Sequence, residues 1–137
     1  MFDLQKLVDS MNDMASAERA NYHMTLGGLI SILEGCPSDR LVEYDNGAYP
    51  SEPISYRGYY SDLSFTPTSS PVTAGELLRE ANDAIGASFE GYKGGDFTMH
   101  AKTPLWASPY GSANGVAIMG SVVSPDGKLI LITKQID

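Results

Sequence analysis

Val72-Thr73-Ala74-Gly75-Glu76-Leu77-Leu78 is a helix-start sequence that stands between two stretches typical of β-strands. A threonine followed three residues later by a glutamate forms a capping box, in which each side chain bonds the backbone amide of the other residue. Val72 and Leu77 occupy the two positions of a hydrophobic staple. An apolar stripe follows, and Gly86 stands where a helix commonly ends. The sequence therefore predicts a helix over about residues 74–85.

A second helix is predicted nearer the amino terminus. Thr25 can cap it, an apolar face follows, and Gly35 with Pro37 ends the pattern. The pair Gly27-Gly28 is its weak point, because glycine lowers helix propensity. We therefore expect another backbone, from this chain or from a second subunit, to pack closely against these glycines.

The rest of the chain has the composition of strands and turns. Strands are predicted at residues 41–44, 53–65, 88–92, 97–101, 105–107, 116–123 and 128–133, with a loop at 66–71. Turn sequences occur at Asp45-Asn46-Gly47 and Ser124-Pro125-Asp126-Gly127. Leu129-Ile130-Leu131-Ile132 is apolar without alternation, which is typical of a strand covered on both faces. These features predict an α+β fold in which two main helices pack on a mostly antiparallel sheet.

The first residues carry an apolar stripe at helical spacing, formed by Phe2, Leu4, Leu7, Val8, Met11 and Met14. This pattern fits either an amphipathic helix or a loosely held terminal extension. If it is a helix, its methionines could dock on a groove or on a second copy of the chain. We therefore divide the chain into an N-terminal helical extension, residues 1–24, and a single α+β domain, residues 25–137.

Length and charge limit the functions open to this chain. Its 137 residues suffice for one domain with a real core. The formal net charge of −8 disfavours binding of DNA or RNA polymers, which requires neutralising several phosphates at once. A small anion remains compatible, since a local cation cluster sets the potential inside a pocket. We predict a cytoplasmic protein without a membrane role, because one cysteine, an acidic Met1-Phe2-Asp3-Leu4 start and the lack of a long apolar run indicate neither secretion nor a membrane span.

Two short segments combine tyrosine, a cation and glycine. They are Ser55-Tyr56-Arg57-Gly58-Tyr59-Tyr60 and Gly91-Tyr92-Lys93-Gly94-Gly95. Arginine offers a planar fork of donors to phosphate, tyrosine offers a stacking face, and glycine exposes backbone amides. Each segment also has a plainer explanation, a glycine-rich turn or tyrosines that pack a half-buried strand. Their coincidence predicts a site for a nucleotide-like anion that includes Arg57 and Lys93.

No metal, cofactor or catalytic residue is predicted. The two histidines and the single cysteine have no partner at a recognised ligand spacing. An acid/base pair could be drawn from Asp62, Glu90 and Asp96, but nothing in one sequence brings two of them together. The sequence therefore favours a binding protein over an enzyme.

Four motifs in their order along the chain resemble a family of small phage proteins, the first type of Thoeris anti-defence sponge. They are residues 55–63, 72–78 and 91–99 and the Pro104-Leu105-Trp106 element. The resemblance covers roughly residues 25–134. It implies a non-enzymatic protein of the host-cell cytoplasm that sequesters cyclic ADP-ribose isomers made by a bacterial TIR-domain defence protein. It also implies homodimers or homohexamers, and in some members further sites for cyclic oligonucleotides.

The resemblance also implies roles for particular residues. Arg57 would hold phosphate, with Tyr56 and Tyr59 bordering the same site, while Phe97 and Met99 would contact a base. The family's late basic residue has no clear counterpart here, since only Lys128 and Lys134 follow Lys102. Two alternatives stay open: a phage inhibitor that binds a host defence protein directly, and an enzyme that degrades a nucleotide signal.

Overall fold

The computed structural model describes residues 14, 17–56, 59–90, 96–108 and 115–135, with the backbone alone at 55–56, 59–61, 90 and 96–97. Within these residues the elements are α1 (Leu26–Glu34), β1 (Leu41–Tyr44), β2 (Tyr49–Tyr56), β3 (Tyr59–Thr68), β4 (Val72–Thr73), α2 (Ala74–Ala84), β5 (Ser88–Glu90), β6 (Asp96–Thr98), β7 (Leu105–Trp106), β8 (Val116–Val123) and β9 (Leu129–Gln135). A helical stretch at residues 17–19 precedes α1.

Seven of these strands form one sheet, in the order β2-β3-β7-β8-β9-β1-β4. Four neighbouring pairs are antiparallel, whereas β3 with β7 and β1 with β9 are parallel. The sheet is nearly closed, because the edge strand β2 also contacts β1 and β4 at the other end of the order. A separate antiparallel pair is formed by β5 and β6. The protein therefore has the predicted α+β fold with a mostly antiparallel sheet.

Helix α1 begins as the sequence predicts. The Thr25 hydroxyl accepts a hydrogen bond from the Gly28 amide at 3.1 Å, which satisfies one free donor of the first turn. Its apolar face, formed by Leu26, Leu29 and Leu33, is buried. The helix ends at Glu34, but Gly35 has φ −82°, so its special backbone freedom is not used there.

Helix α2 carries the predicted capping box. The Glu76 amide donates to the Thr73 hydroxyl at 3.3 Å, and the Thr73 amide donates to the Glu76 carboxylate at 3.1 Å. The Thr73 hydroxyl also donates to the Glu76 carboxylate at 2.9 Å, and this bond together with the one from the Thr73 amide lowers the pKa of Glu76. The helix ends at Ala84, one residue earlier than expected, and Gly86 adopts φ +75° just beyond it.

The strand boundaries differ from the predictions mainly in the polar segments. Strand β3 continues to Thr68, so the loop expected at 66–71 is shorter. Strand β6 ends at Thr98, three residues earlier than expected, and His100 lies exposed in the turn after it rather than on a strand. Strand β9 extends to Gln135. Leu129 and Leu131 are buried, whereas Ile130 and Ile132 are partly exposed, so β9 is fully covered on one face only.

The main core lies between the two helices and one face of the sheet. It contains the apolar faces of α1 and α2 together with Val42, Tyr44, Leu63, Phe65, Leu105, Ile118, Leu129 and Leu131. Tyr44 is fully buried, and its hydroxyl donates to the Phe65 carbonyl at 2.6 Å. Burial raises the pKa of Tyr44 well above 10.

A second, polar layer lies on the opposite face of the sheet. Successive side chains of a strand alternate between faces, so Asp62 and Ser64 point away from Leu63 and Phe65. Ser64 stands opposite Trp106 in the β3–β7 register, and Trp106 packs with Ala117 and Met119. Four side chains of this layer are buried, and the fifth, Met119, is partly exposed. The buried ones are Asp62, Ser64, Trp106 and Ala117.

The end of the predicted N-terminal extension is attached to the domain. The Met24 amide donates to the Ile118 carbonyl at 2.8 Å, and the Leu105 amide donates to the Met24 carbonyl at 3.0 Å. Residues 1–13 lie outside the described part of the chain. None of the helices in the described part is long and apolar enough to cross a membrane.

The close approach expected at Gly27 is found, and it comes from the same chain. The Gly27 amide donates to the Ala101 carbonyl at 2.8 Å. A β-carbon at Gly27 would lie 2.9 Å from that oxygen and 3.0 Å from the Ala101 β-carbon. Glycine is therefore required here by the turn that follows β6.

Candidate ligand-binding site

The first predicted binding segment lies on the β2–β3 hairpin. Tyr56 and Tyr59 form its last backbone pair, after a register irregularity that follows Ser55. Arg57 and Gly58 stand between them in sequence and lie outside the described residues, as do the two tyrosine side chains. Tyr56 and Tyr59 therefore stand where the described backbone pairing of this hairpin ends.

The second predicted segment lies on the β5–β6 hairpin. Glu90 and Asp96 form the last backbone pair, and Phe89 pairs with Phe97. Residues 91–95, including Lys93, fall outside the described part of the chain. Strand β2 contacts β5, and β3 contacts β6. The fold thus brings the two hairpins that carry the predicted residues into contact.

Among the six predicted ligand-binding residues, only the side chain of Met99 is described. It is 1% exposed and belongs to the main core. Its backbone amide donates to the Ala87 carbonyl at 3.0 Å, and its carbonyl accepts from the Gly86 amide at 2.8 Å. Met99 therefore links the β5–β6 hairpin to the end of α2. Its contact with a base stays a prediction, as do the roles of Tyr56, Arg57, Tyr59, Lys93 and Phe97.

A buried ion pair lies on β3, near the end of the strand that begins at Tyr59. Asp62, three residues after Tyr59, is 0% exposed. Arg19 donates to both of its carboxylate oxygens, from Nε at 2.6 Å and from Nη2 at 2.9 Å. The Trp106 indole nitrogen donates to the same carboxylate at 2.7 Å. Such a bidentate pair fixes geometry as well as charge, so Asp62 is held rigidly next to the tyrosine-bearing end of β3.

His23 completes this cluster. Its ring meets the Trp106 ring edge to face, with centroids 4.7 Å apart at 79°. The residue is 7% exposed, and its Nδ1 has no hydrogen-bond partner among the described residues. Burial lowers the pKa of His23 and outweighs the attraction of Asp62, while Arg19 lowers it further. His23 is therefore neutral near pH 7.

Two serines extend the polar layer along the strands. Ser64 Oγ donates to the Ser108 carbonyl at 2.7 Å and accepts from the Ser108 amide at 2.9 Å. Ser108 Oγ in turn accepts from the Val116 amide at 3.1 Å. These bonds join β3 to the ends of β7 and β8, where regular strand pairing stops.

The sequence predicts part of this polar layer. Asp62-Leu63-Ser64-Phe65 alternates polar and apolar residues, which predicts two faces for β3. Nothing in the sequence indicated that the polar face would be buried, or that Arg19, 43 positions earlier, would pair with Asp62. The structure describes Asp62, one of the three acid/base candidates, as buried and paired with Arg19.

An open cleft of about 400 Å³ lies elsewhere, between the start of β2, the loop before β4 and helix α2. Among the described residues, its lining includes three glutamates, Glu52, Glu76 and Glu80, and no lysine or arginine. These carboxylates would repel an anion, so the predicted phosphate site does not belong there. Within the described ranges, no group of three or more His, Cys, Asp or Glu side chains could hold a metal ion.

Comparisons of this chain with protein-family models, with curated proteins and with solved structures found no match. The resemblance to the Thoeris sponges therefore depends on the sequence motifs alone.

Proposed function

We propose that this protein binds and sequesters a cyclic nucleotide signal, a cyclic ADP-ribose isomer, without cleaving it. The observation that carries the proposal is the contact of the β2–β3 hairpin with the β5–β6 hairpin. Those hairpins carry the two segments of the chain that combine tyrosine, a cation and glycine. Arginine with backbone amides suits a pyrophosphate, and tyrosine suits an adenine ring.

The surrounding structure favours tight binding over chemistry. A sequestering protein needs slow release, which a preorganised site provides by lowering the ordering cost of binding. The Arg19–Asp62–Trp106 cluster holds β3 three residues from Tyr59 and so limits the freedom of the hairpin. Arg19 and Trp106 donate to both oxygens of the Asp62 carboxylate, which favours a structural role for it over that of a general base. We infer that the protein forms a homodimer or homohexamer and acts in the host cytoplasm. Light scattering of the purified protein would check its oligomeric state.

The test is recovery of the ligand. The protein is mixed with a glycocyclic ADP-ribose at equal concentration, the free nucleotide is removed, and the complex is heated to denature the protein. Mass spectrometry of the filtrate should then show the intact nucleotide in an amount equal to the bound fraction. A hydrolysed product would assign the chain to the enzymes, and an empty filtrate would reject nucleotide binding.

The Arg57→Ala substitution tests whether Arg57 belongs to the binding site. Loss of a charged hydrogen bond to phosphate should weaken binding by about 1.5–3 kcal/mol. Arg79→Ala is the matched control, because Arg79 is an exposed arginine on α2. Titration calorimetry should show the loss only for Arg57→Ala. Equal affinities of the two variants would remove Arg57 from the site.

The glutamate-lined cleft favours a second candidate, an inhibitor that binds a host defence protein directly. Three exposed carboxylates over an apolar floor that includes Val72 and Leu77 would suit a basic protein surface. This candidate predicts a purified complex with a host protein and no nucleotide in the heated filtrate. The ligand-recovery experiment therefore separates the two.

A further inference from the structure

The segment that ends the N-terminal extension covers the polar layer of the sheet. Arg19 reaches Asp62 on β3, and His23 packs on Trp106 of β7. Met24, the next residue, is fixed by backbone hydrogen bonds to Leu105 and Ile118. Among the described residues, the amides of Asn21, Tyr22 and His23 donate within the segment, to the carbonyls of Glu18 and Arg19, and the side chains of Arg19 and His23 contact the sheet.

The contacts of His23 depend on its being neutral. Protonation places a hydrogen on both ring nitrogens, and Nδ1 then becomes a buried donor without an acceptor among the described residues. An unsatisfied buried donor is unfavourable, and a buried charge is more so. Water can satisfy the charged ring only if the segment lifts from Trp106.

The charged groups around His23 act in opposite directions. Asp62, on β3, attracts an imidazolium, whereas Arg19, on the same segment, repels it. The β7 backbone at Leu105 also favours the charged ring, while Ala117 and Met119 of β8 contribute no titratable group to this cluster. Because Asp62 already receives two bonds from Arg19 and one from Trp106, its charge is largely compensated. Desolvation of the ring therefore prevails.

We propose that residues 17–23 form a proton-operated latch over Trp106: protonation of His23 releases the segment from the sheet while the α+β domain stays folded. While the His23 ring is neutral, the segment stays packed on Trp106, and the ion pair between Arg19 and Asp62 positions it there. The latch does not rest on the proposed function, since it concerns only the attachment of this segment.

Trp106 reports the latch directly, because it is the only tryptophan in the chain. Its emission spectrum and its quenching by acrylamide are followed from pH 8 to pH 5 on the full-length protein, with far-UV circular dichroism in parallel. We expect the emission to shift to longer wavelength and the quenching to increase below about pH 6.5, the ordinary pKa of histidine. The circular dichroism should change little over the same range.

Two variants assign the effect to His23. His23→Phe keeps an aromatic ring on Trp106 but cannot be protonated, so its emission should not change with pH. His100→Gln, which removes the exposed histidine, should behave as the wild type. If His23→Phe does not fold, the ring-proton resonances of His23 in the wild type replace it, and they must titrate together with the emission shift.

Three results would overturn the latch. One is a flat emission spectrum down to pH 5 in the wild type. Another is an emission shift that coincides with loss of the far-UV signal, which would mean global unfolding. The last is an emission shift that persists in His23→Phe or that titrates apart from the His23 resonances.

Discussion

Helix α1 packs closely against the turn after β6 at Gly27. Its amide bonds the Ala101 carbonyl, and a β-carbon would come within 3.0 Å of two Ala101 atoms. Neither atom is the end of a flexible side chain, so the clash cannot be relieved cheaply. The helix therefore keeps a residue of poor helix propensity because of a tertiary contact.

Gly27→Ala should destabilise the fold although alanine favours helices. Overpacking of this kind costs about 1–3 kcal/mol, while the helix gains only about 1 kcal/mol from alanine. Gly35→Ala is the control, since its β-carbon would meet the Ile32 carbonyl at an ordinary 3.5 Å and φ is −82°. Urea unfolding should show a lower free energy for Gly27→Ala and little change for Gly35→Ala. Equal stability of the two variants would contradict the close packing.

At the scale of elements, the Arg19–Asp62 pair joins the N-terminal segment to β3. Asp62 has no exposed surface, whereas Arg19 is 16% exposed. Removal of one partner from such a pair leaves a charge in a place where water cannot reach it. The attachment of the segment to the sheet is thus an electrostatic contact made inside the protein.

Arg19→Met should lower the free energy of unfolding by about 3 kcal/mol, the lower end of the cost of breaking a buried pair. Lys128→Met is the matched control, because Lys128 forms a partly exposed pair with Glu43 at 3.6 Å. Partly exposed pairs contribute about 1 kcal/mol or less. Urea unfolding of the two variants measures the difference. If Arg19→Met costs no more than Lys128→Met, Asp62 does not depend on Arg19.

At the scale of the whole molecule, four of the described titratable groups have shifted pKa values, and three of them, His23, Glu76 and Tyr44, bound the pH range of highest stability. The folded-state pKa of His23 lies below 6.5, and that of Glu76 lies below 4.5. Between the folded and unfolded values the unfolded chain binds more protons, so both groups lose their contribution as the solution is acidified. The pKa of Tyr44 is raised above 10, and its contribution is lost as the pH rises past 10.

The contribution of these groups to the free energy of unfolding should therefore be highest between about pH 6.5 and pH 10. Urea unfolding at pH 8, 6, 5 and 4 should show a decline that begins below pH 6.5. His23→Gln should remove the part of the decline that begins below pH 6.5, and Glu76→Gln should reduce the decline below pH 4.5, where Asp126 also contributes. A wild-type stability that rises on acidification from pH 6.5 to 5 would show that relief of repulsion in this acidic chain outweighs His23.

The sequence by itself determined the local elements. The capping box of α2, the Thr25 cap of α1 and the turns at Gly47 and Gly127 are formed by residues close in sequence, and they appear as predicted. The α+β class followed from the same local patterns. Such signals are readable because cap, turn and strand alternation depend on neighbours within a few residues.

Only the tertiary structure decided which distant residues meet. It paired Arg19 with Asp62, set Ala101 against Gly27, and placed the β5–β6 hairpin beside the β2–β3 hairpin. Parallel pairing of β1 with β9 joins residues almost ninety positions apart, and no local pattern encodes it. The physical reason is that burial and charge pairing depend on the closure of the sheet, which brings together side chains whose sequence separation carries no information about their contact.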